Sequence, residues 1–299
     1  MRICIFGGGT FSHVRNHLAL AAPAFGSTAR QLHEMIPGSE LILTKMADPT
    51  SHLVTNQDVM NCVDEVCQDP ELKAIIFNVA LCDFDGQVDD VPSGSHANRL
   101  KTREGSQKMT LTPAEKVISR IKKARPDVIV VGFKTTTNAT LDEQSVAAEN
   151  LLRSNNLDWV LANDTVTRVN FIVGAGSQLV YSNEQRKYAL GNLARFVHTR
   201  VRNVAPTAKV GNTVCMNEAS RVFGNAIVEG NVLLDDSTVA YHAIVKGDVE
   251  LVASRVSGNV FITSDRVLHT TTIKESILQG DVTISSGNMK HLQWWRNVP

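Results

Sequence analysis

Gly7, Gly8, Gly9 and Thr10 follow the first apolar run and could bring backbone N–H groups against a phosphate or carboxylate. Glycine adds no Cβ, and a helix start beyond it leaves free donors for an anion. The same glycines also suit a tight turn. His13 and His17 stand close by, where packing or capping is the ordinary role. A second group is cationic: Arg99, Lys101, Arg103 and Lys108, then Lys116, Arg120, Lys122 and Lys123 on a predicted helix. Such a cluster suits a few phosphates on a small molecule better than a duplex.

The whole chain carries 30 basic and 30 acidic residues, so no net field holds a polyanion by counterion release. Nucleic acid is therefore not the expected partner. Its 299 residues, 43% hydrophobic and 20% charged, are enough for two globular parts. Five scattered cysteines, Cys4, Cys62, Cys67, Cys82 and Cys215, make neither a disulfide framework nor a zinc pattern. Cys4 and Cys82 read as small core residues, which suits a reducing cytoplasm. The N-terminus lacks the long apolar stretch of a signal peptide, and no run approaches the ~18 apolar residues that span a bilayer. The expected location is cytoplasmic, without a membrane partner.

Those chemical groups need a scaffold, and the pattern predicts one. Short β-branched runs at 2–6, 40–44, 74–78, 127–133 and 158–162 alternate with helical spacing at 28–36, 57–67, 113–124, 143–154 and 184–200. This is an α/β, Rossmann-like parallel sheet wrapped by helices, expected over residues 1–203. Runs at 169–173 and 178–181, joined through Gly174, Ala175 and Gly176, predict a marginal hairpin. Residues 83–107 lose all apolar periodicity and are rich in Gly, Ser, Asp and cations. A loop this long, leaving a strand's carboxyl end, is read as a lid or substrate loop.

From Pro206 the period becomes six. Val210, Met216, Val222, Val228, Leu234 and Ala240 recur in step, with Val214, Ser220, Ala226, Val232, Thr238 and Ile244 four residues after each. One aliphatic and one small inward residue per short strand, with Gly or Asn at the corners, predict a hexapeptide-repeat parallel β-helix of the left-handed type over 204–299. The register is looser after Lys246. Trp294 and Trp295 suit a cap on its end or contact with a neighbour.

Four segments carry a family resemblance. They are Gly7–Thr10 with Val14 and Arg15; NVALCDF ending at Asp83 and Phe84; RLKTREGSQKMTLTPAEKV from Arg99; and VGFKTTT from Val131, leading through Leu157 and Asp158 to Ala162, Asn163 and Asp164. Their order and spacing resemble phosphopantothenoylcysteine synthetase. That family activates the carboxylate of 4′-phosphopantothenate with CTP or ATP and Mg2+ for attack by cysteine, so a phosphorylated small-molecule substrate is implied. The resemblance implies that Lys101 and Arg99 act catalytically on phosphates. It also implies that Gly8, Gly9, Thr10, Asp83, Phe133, Ala162 and Asn163 line the nucleotide pocket, with no protein-held metal. Bland roles compete: Asp83 as a turn cap, Arg99 and Lys101 as solvated charges, and Asn163 with Asp164 as a turn. Dimerisation through the α/β part, trimerisation through the β-helix, or both, are expected by the same comparison.

The sequence departs from the family at two places. Ala22 falls near the position of the family's acyl-nucleotide asparagine, and Leu151–Asn155 replaces a lysine-bearing helix, with Arg153 on a different face. These departures admit a second reading, a non-catalytic nucleotide-binding or assembly protein that keeps the pocket. Two further readings rank below it. GGTFSHVRNHL resembles a nucleotidyltransferase opening, with Arg15 and Leu18 at its histidine positions, and the repeats resemble acyltransferases, with His242 or His269 as base.

Overall fold

The computed structural model describes residues 2–174, 178–205, 207–211, 213–217 and 219–263, with short strands at 271–274, 277–279, 282–285 and 289–290. Ala175, Gly176, His269, Trp294 and Trp295 lie outside the described residues. Two compact units divide the chain, 1–173 with 179–194, and 174–178 with 195–299.

The first unit begins with β1 (Arg2–Arg15), β2 (Leu18–Ala22), α1 (Ser27–Met35), β3 (Glu40–Leu43), α2 (Asn56–Cys67) and β4 (Leu72–Ala80). It continues with β5 (Phe84–Val88), β6 (Met109–Pro113), α3 (Ile118–Ala124), β7 (Ile129–Thr136) and α4 (Leu141–Ser154). The last elements are β8 (Trp159–Asp164), β9 (Asn170–Gly174), β10 (Gln178–Asn183) and α5 (Arg186–Asn203), whose later residues belong to the second unit. The strands form one sheet in the order β10-β9-β8-β7-β4-β1-β2, with β3 parallel to the first half of β1. β1, β4, β7 and β8 are parallel. Helix boundaries follow local chemistry: Thr55 with Asp58 and Thr140 with Glu143 make capping boxes at the starts of α2 and α4. Val59, Val63 and Val66 on α2 then meet Cys4, Phe6, Ile75 and Phe77 in the core.

Three expectations for this unit need correction. The predicted first strand stops at Phe6, yet β1 runs on through the glycines to Arg15 and folds back antiparallel on β2. The glycines serve close approach: a Cβ on Gly7 would fall 2.3 Å from the Ala29 Cβ, and one on Gly9 would fall 2.1 Å from the Ala22 carbonyl oxygen. The predicted 83–107 loop also contains a strand. β5 pairs antiparallel with β6 as a two-stranded arm, leaving residues 89–108 at its tip, and α3 starts at Ile118 rather than at 113.

A buried ion pair braces this unit. Lys122 Nζ on α3 lies 2.7 Å from Asp158 Oδ2 at the start of β8, with both side chains almost fully buried. The same carboxylate oxygen accepts the Val130 N–H at 2.8 Å.

The second unit is built from short strands that stack into three parallel ladders. Each inward aliphatic meets its counterpart eighteen residues on at first (Val210 to Val228, Met216 to Leu234), then seventeen (Val222 to Val239, Val228 to Val245, Leu234 to Leu251). The six-residue count therefore loses one residue after Leu234. Val239, not Ala240, stands opposite Val222, and Thr238 and Ile244 are only partly buried. The tight corner at Asp236, with φ of 50°, absorbs the missing residue. At this corner Ser220, Ser237 and Ser254 form a buried ladder: the Ser237 N–H donates to Ser220 Oγ and the Ser254 N–H to Ser237 Oγ, each at 3.0 Å. In the same unit, Arg200 donates to the carbonyls of Val210 at 3.1 Å and Val214 at 2.8 Å.

Lys122→Ala strands a buried carboxylate and should cost about 3–5 kcal/mol in urea unfolding, while Lys122→Met with Asp158→Leu should recover most of it. Ser237→Ala leaves the Ser254 N–H without its acceptor, and amide exchange at Ser254 should accelerate by an opening energy of about 1–3 kcal/mol.

Candidate functional site

From β1 the chain crosses to β3 on one side and then, through α2, to β4 on the other. The carboxyl ends of β1 and β4 thus form a topological switch point, where open α/β sheets bind ligands. A cleft of about 590 Å³ lies there, lined by Ser12 and His13 of β1, Asn56 and Gln57 of α2, Asp85 of β5, and Glu115 ahead of α3.

Three buried or half-buried groups hold its floor. Thr10 is fully buried; its hydroxyl donates to Asn56 Oδ1 at 2.6 Å and accepts the Cys82 N–H at 3.0 Å. The Asn56 side-chain amide returns to the Cys82 carbonyl at 2.8 Å. The arm is fixed to β1 as well. Ser12 Oγ donates to Asp85 Oδ1 at 2.7 Å, and the buried Arg15 guanidinium donates to the carbonyls of Val88 at 2.5 Å and Val14 at 2.9 Å. Asn16 donates its side-chain amide to the Ser95 carbonyl at 3.1 Å, tying the arm's tip to the β1–β2 turn.

The structure distributes the residues singled out in the sequence over two places. Gly8, Gly9 and Thr10 lie in β1 just before the cleft; Asp83, exposed and paired with Lys116, lies two residues before Asp85. Arg99 and Lys101 are exposed on the tip of the arm, with Lys101 Nζ 3.6 Å from Glu104. Phe133 on β7 and Asn163 on β8 are half-buried, Ala162 is fully buried, and none of the three lines the cleft. Asn163 accepts a hydrogen bond from Thr135 at 3.2 Å. Its neighbour Asp164 makes the expected turn: it accepts from Thr136 Oγ1 and from the N–H groups of Asn138, Ala139, Val166 and Thr167 at 2.8–3.1 Å. Burial opposes ionisation of this carboxyl. The bonds from Ala139, Thr167, Thr136 and Val166 outweigh it and hold the group well below the usual carboxylate range.

Sequence reasoning missed Asn56, Asp85, Glu115 and Arg186. Only Asn56 carried a local signal, one position after the helix cap. Arg186 at the start of α5 donates to Thr28 Oγ1 at 3.1 Å and reaches Asn170 Oδ1 at 3.5 Å, and no carboxylate pairs with it among the described residues. Burial lowers its proton affinity. Thr28 sits in the first turn of α1, whose cap, Gly26, offers no side-chain acceptor, so a half-buried guanidinium lies beside the start of that helix. No group of three or more His, Cys, Asp or Glu suited to a metal occurs among the described residues. No described helix is long and apolar enough to cross a membrane.

A largely parallel sheet alternating with helices, with its cleft at this switch point, places the first unit among α/β proteins with an open sheet as a class. Within that class, residues 19–194 match the DNA/pantothenate metabolism flavoprotein C-terminal domain family, and the chain belongs to that family. The match starts after β1 and ends at Ala194, where the first unit ends. The coenzyme A biosynthesis bifunctional protein CoaBC of Thermococcus kodakarensis is 29% identical over 129 residues, 42% of this chain and 31% of that protein, so the aligned part spans about a third of its relative. The DNA/pantothenate metabolism flavoprotein of Streptococcus pneumoniae has a similar fold, with a TM-score of 0.56 at 20% identity, covering 64% of this chain and 96% of that one.

Because the Asp164 carboxyl is depressed in the folded chain, its contribution is complete above about pH 4 and lost as pH falls through the folded value. Asp164→Asn should therefore flatten the fall of Tm between pH 5 and 3, as followed by circular dichroism.

Proposed function

We propose that this chain is a nucleotide-dependent ligase of coenzyme A biosynthesis that activates 4′-phosphopantothenate, or a related carboxylate, with CTP or ATP for attack by an amine. The observation that carries this reading is the family match over a unit whose cleft opens at the β1–β4 switch point. In the reaction, the carboxylate oxygen attacks the α-phosphorus, pyrophosphate leaves, and the acyl-nucleotide is opened by the amine nitrogen. Gly8, Gly9, Thr10, Asp83, Phe133, Ala162 and Asn163 form the nucleotide side of this proposal. Lys101 and Arg99, exposed on the arm's tip, close over the phosphates, and an arm that carries exposed cations suits a cover that keeps water from an acyl-phosphate. Arg186, with no carboxylate partner among the described residues, suits a further phosphate. Magnesium would arrive with the triphosphate, whose oxygens are the hard ligands it prefers.

The second unit, taken as residues 204–299, we read as a left-handed-type parallel β-helix that assembles copies of the chain. Its three parallel ladders support this reading. One observation favours a non-catalytic, nucleotide-binding alternative: Ala22, near the position of the family's asparagine, ends strand β2 and has no polar side chain to handle an acyl-nucleotide.

Calorimetric titration with CTP and ATP plus magnesium separates these readings when joined to a pyrophosphate-release assay with 4′-phosphopantothenate. The ligase should bind one nucleotide and release pyrophosphate. Lys101→Ala should lower kcat by about 10²–10³-fold, as expected for loss of a cation aimed at transition-state charge. Binding without release would leave the alternative, and no binding would end both.

A further inference from the structure

The cleft has a chemical bias that activation alone does not use. None of its lining residues is a lysine or arginine, whereas Asp85, Glu115 and His13 are all among them. A primary ammonium would find two opposite charges and a base.

Position supports the same ligand. Asp85 is held by Ser12 Oγ through one carboxylate oxygen at 2.7 Å, so its other oxygen has no bond to protein among the described residues. Glu115 is steadied through Oε1 by Arg120 at 3.2 Å. The His13 ring packs nearly parallel to Phe11, with ring centroids 6.3 Å apart, and the Phe11 N–H is fixed to the Val54 carbonyl at 2.9 Å. His13 is thus carried on a strand whose backbone is fastened two residues earlier.

We infer that this cleft binds the amine co-substrate, with Asp85 and Glu115 holding its ammonium and His13 acting as the base that frees its lone pair. This rests on the ligase reading for its chemistry. His13 takes one proton from the ammonium. The nitrogen then attacks the carbonyl carbon of the acyl-nucleotide, the C–N bond forms, and the C–O bond to phosphorus breaks. The nucleoside monophosphate leaves with the bonding electron pair and takes the second nitrogen proton. The products are a neutral amide, the protonated monophosphate and imidazolium, which balance the starting ammonium and acyl-nucleotide.

The test follows two half-reactions and one binding signal on the full chain, with L-cysteine as the amine. Carboxylate-dependent exchange of labelled pyrophosphate into the nucleotide reads activation, amide formation reads the second step, and His13 ring resonances read L-cysteine binding without nucleotide. His13→Gln should keep exchange and lose amide formation by about 10²–10⁴-fold. Asp85→Asn, with Glu115→Gln as a second variant that leaves the Ser12 bond in place, should raise the KM for L-cysteine about tenfold and weaken the resonance shift. Amide formation at the wild-type rate in His13→Gln would overturn the proposal, as would exchange and amide formation falling together, because the cleft would then serve activation. If the wild type shows no exchange, the ligase reading fails by itself. The amine site is then upheld by a His13 shift that Asp85→Asn weakens, and is overturned by no shift or by one that Asp85→Asn leaves unchanged.

Discussion

The fastening of β1 and β4 to the first turn of α2 is the constraint on which the first unit depends. Thr10, Asn56 and the Cys82 backbone close a largely buried ring of hydrogen bonds. An unmet donor at such a place costs about 1–3 kcal/mol, so each member holds the other two in position. Because the ring sits where the sheet reverses its winding, it sets the spacing between strands whose ends form the cleft. The glycines upstream belong to the same requirement. Their missing Cβ atoms let α1 and the end of β2 close on β1 at distances no side chain would permit.

A second level of order comes from polar groups that the core encloses only in pairs. Lys122 with Asp158 joins α3 to β8, and Arg15 feeds buried carbonyls of the arm. Such groups contribute little net stability when complete and a large penalty when broken, which makes them devices for register. The serine ladder does the same in the second unit, where each hydroxyl satisfies the backbone of the next turn. These contacts fix where the arm and the ladders sit, and so where chemistry can occur.

The resulting site has separate electrostatic regions. Carboxylates line the cleft, exposed cations lie at the tip of the arm, and Arg186 lies beside α1 with no acidic partner among the described residues. The proposed reaction, which joins an amine to an activated, phosphate-bearing carboxylate, would use this kind of segregation. Opposite charges must be recognised in one site without neutralising each other beforehand.

Apolar periodicity made the helices and the parallel strands of the first unit legible from residue order, because burial repeats with the geometry of each element. The Asp164 turn was legible too, since short polar side chains bond their own backbone. Other features depend on partners distant in the chain. Whether Gly7–Gly9 make a turn or a strand was decided by Ala29 and Ala22, and whether β5 exists was decided by its pairing with Met109–Pro113. Asp85, Glu115 and His13 come from three separate segments, and nothing in their local sequence joins them. Residue types and local spacing set the elements and the available chemistry. Only the packing of the sheet brought those groups to one cleft, because close approach and charge proximity are properties of space and not of order along the chain.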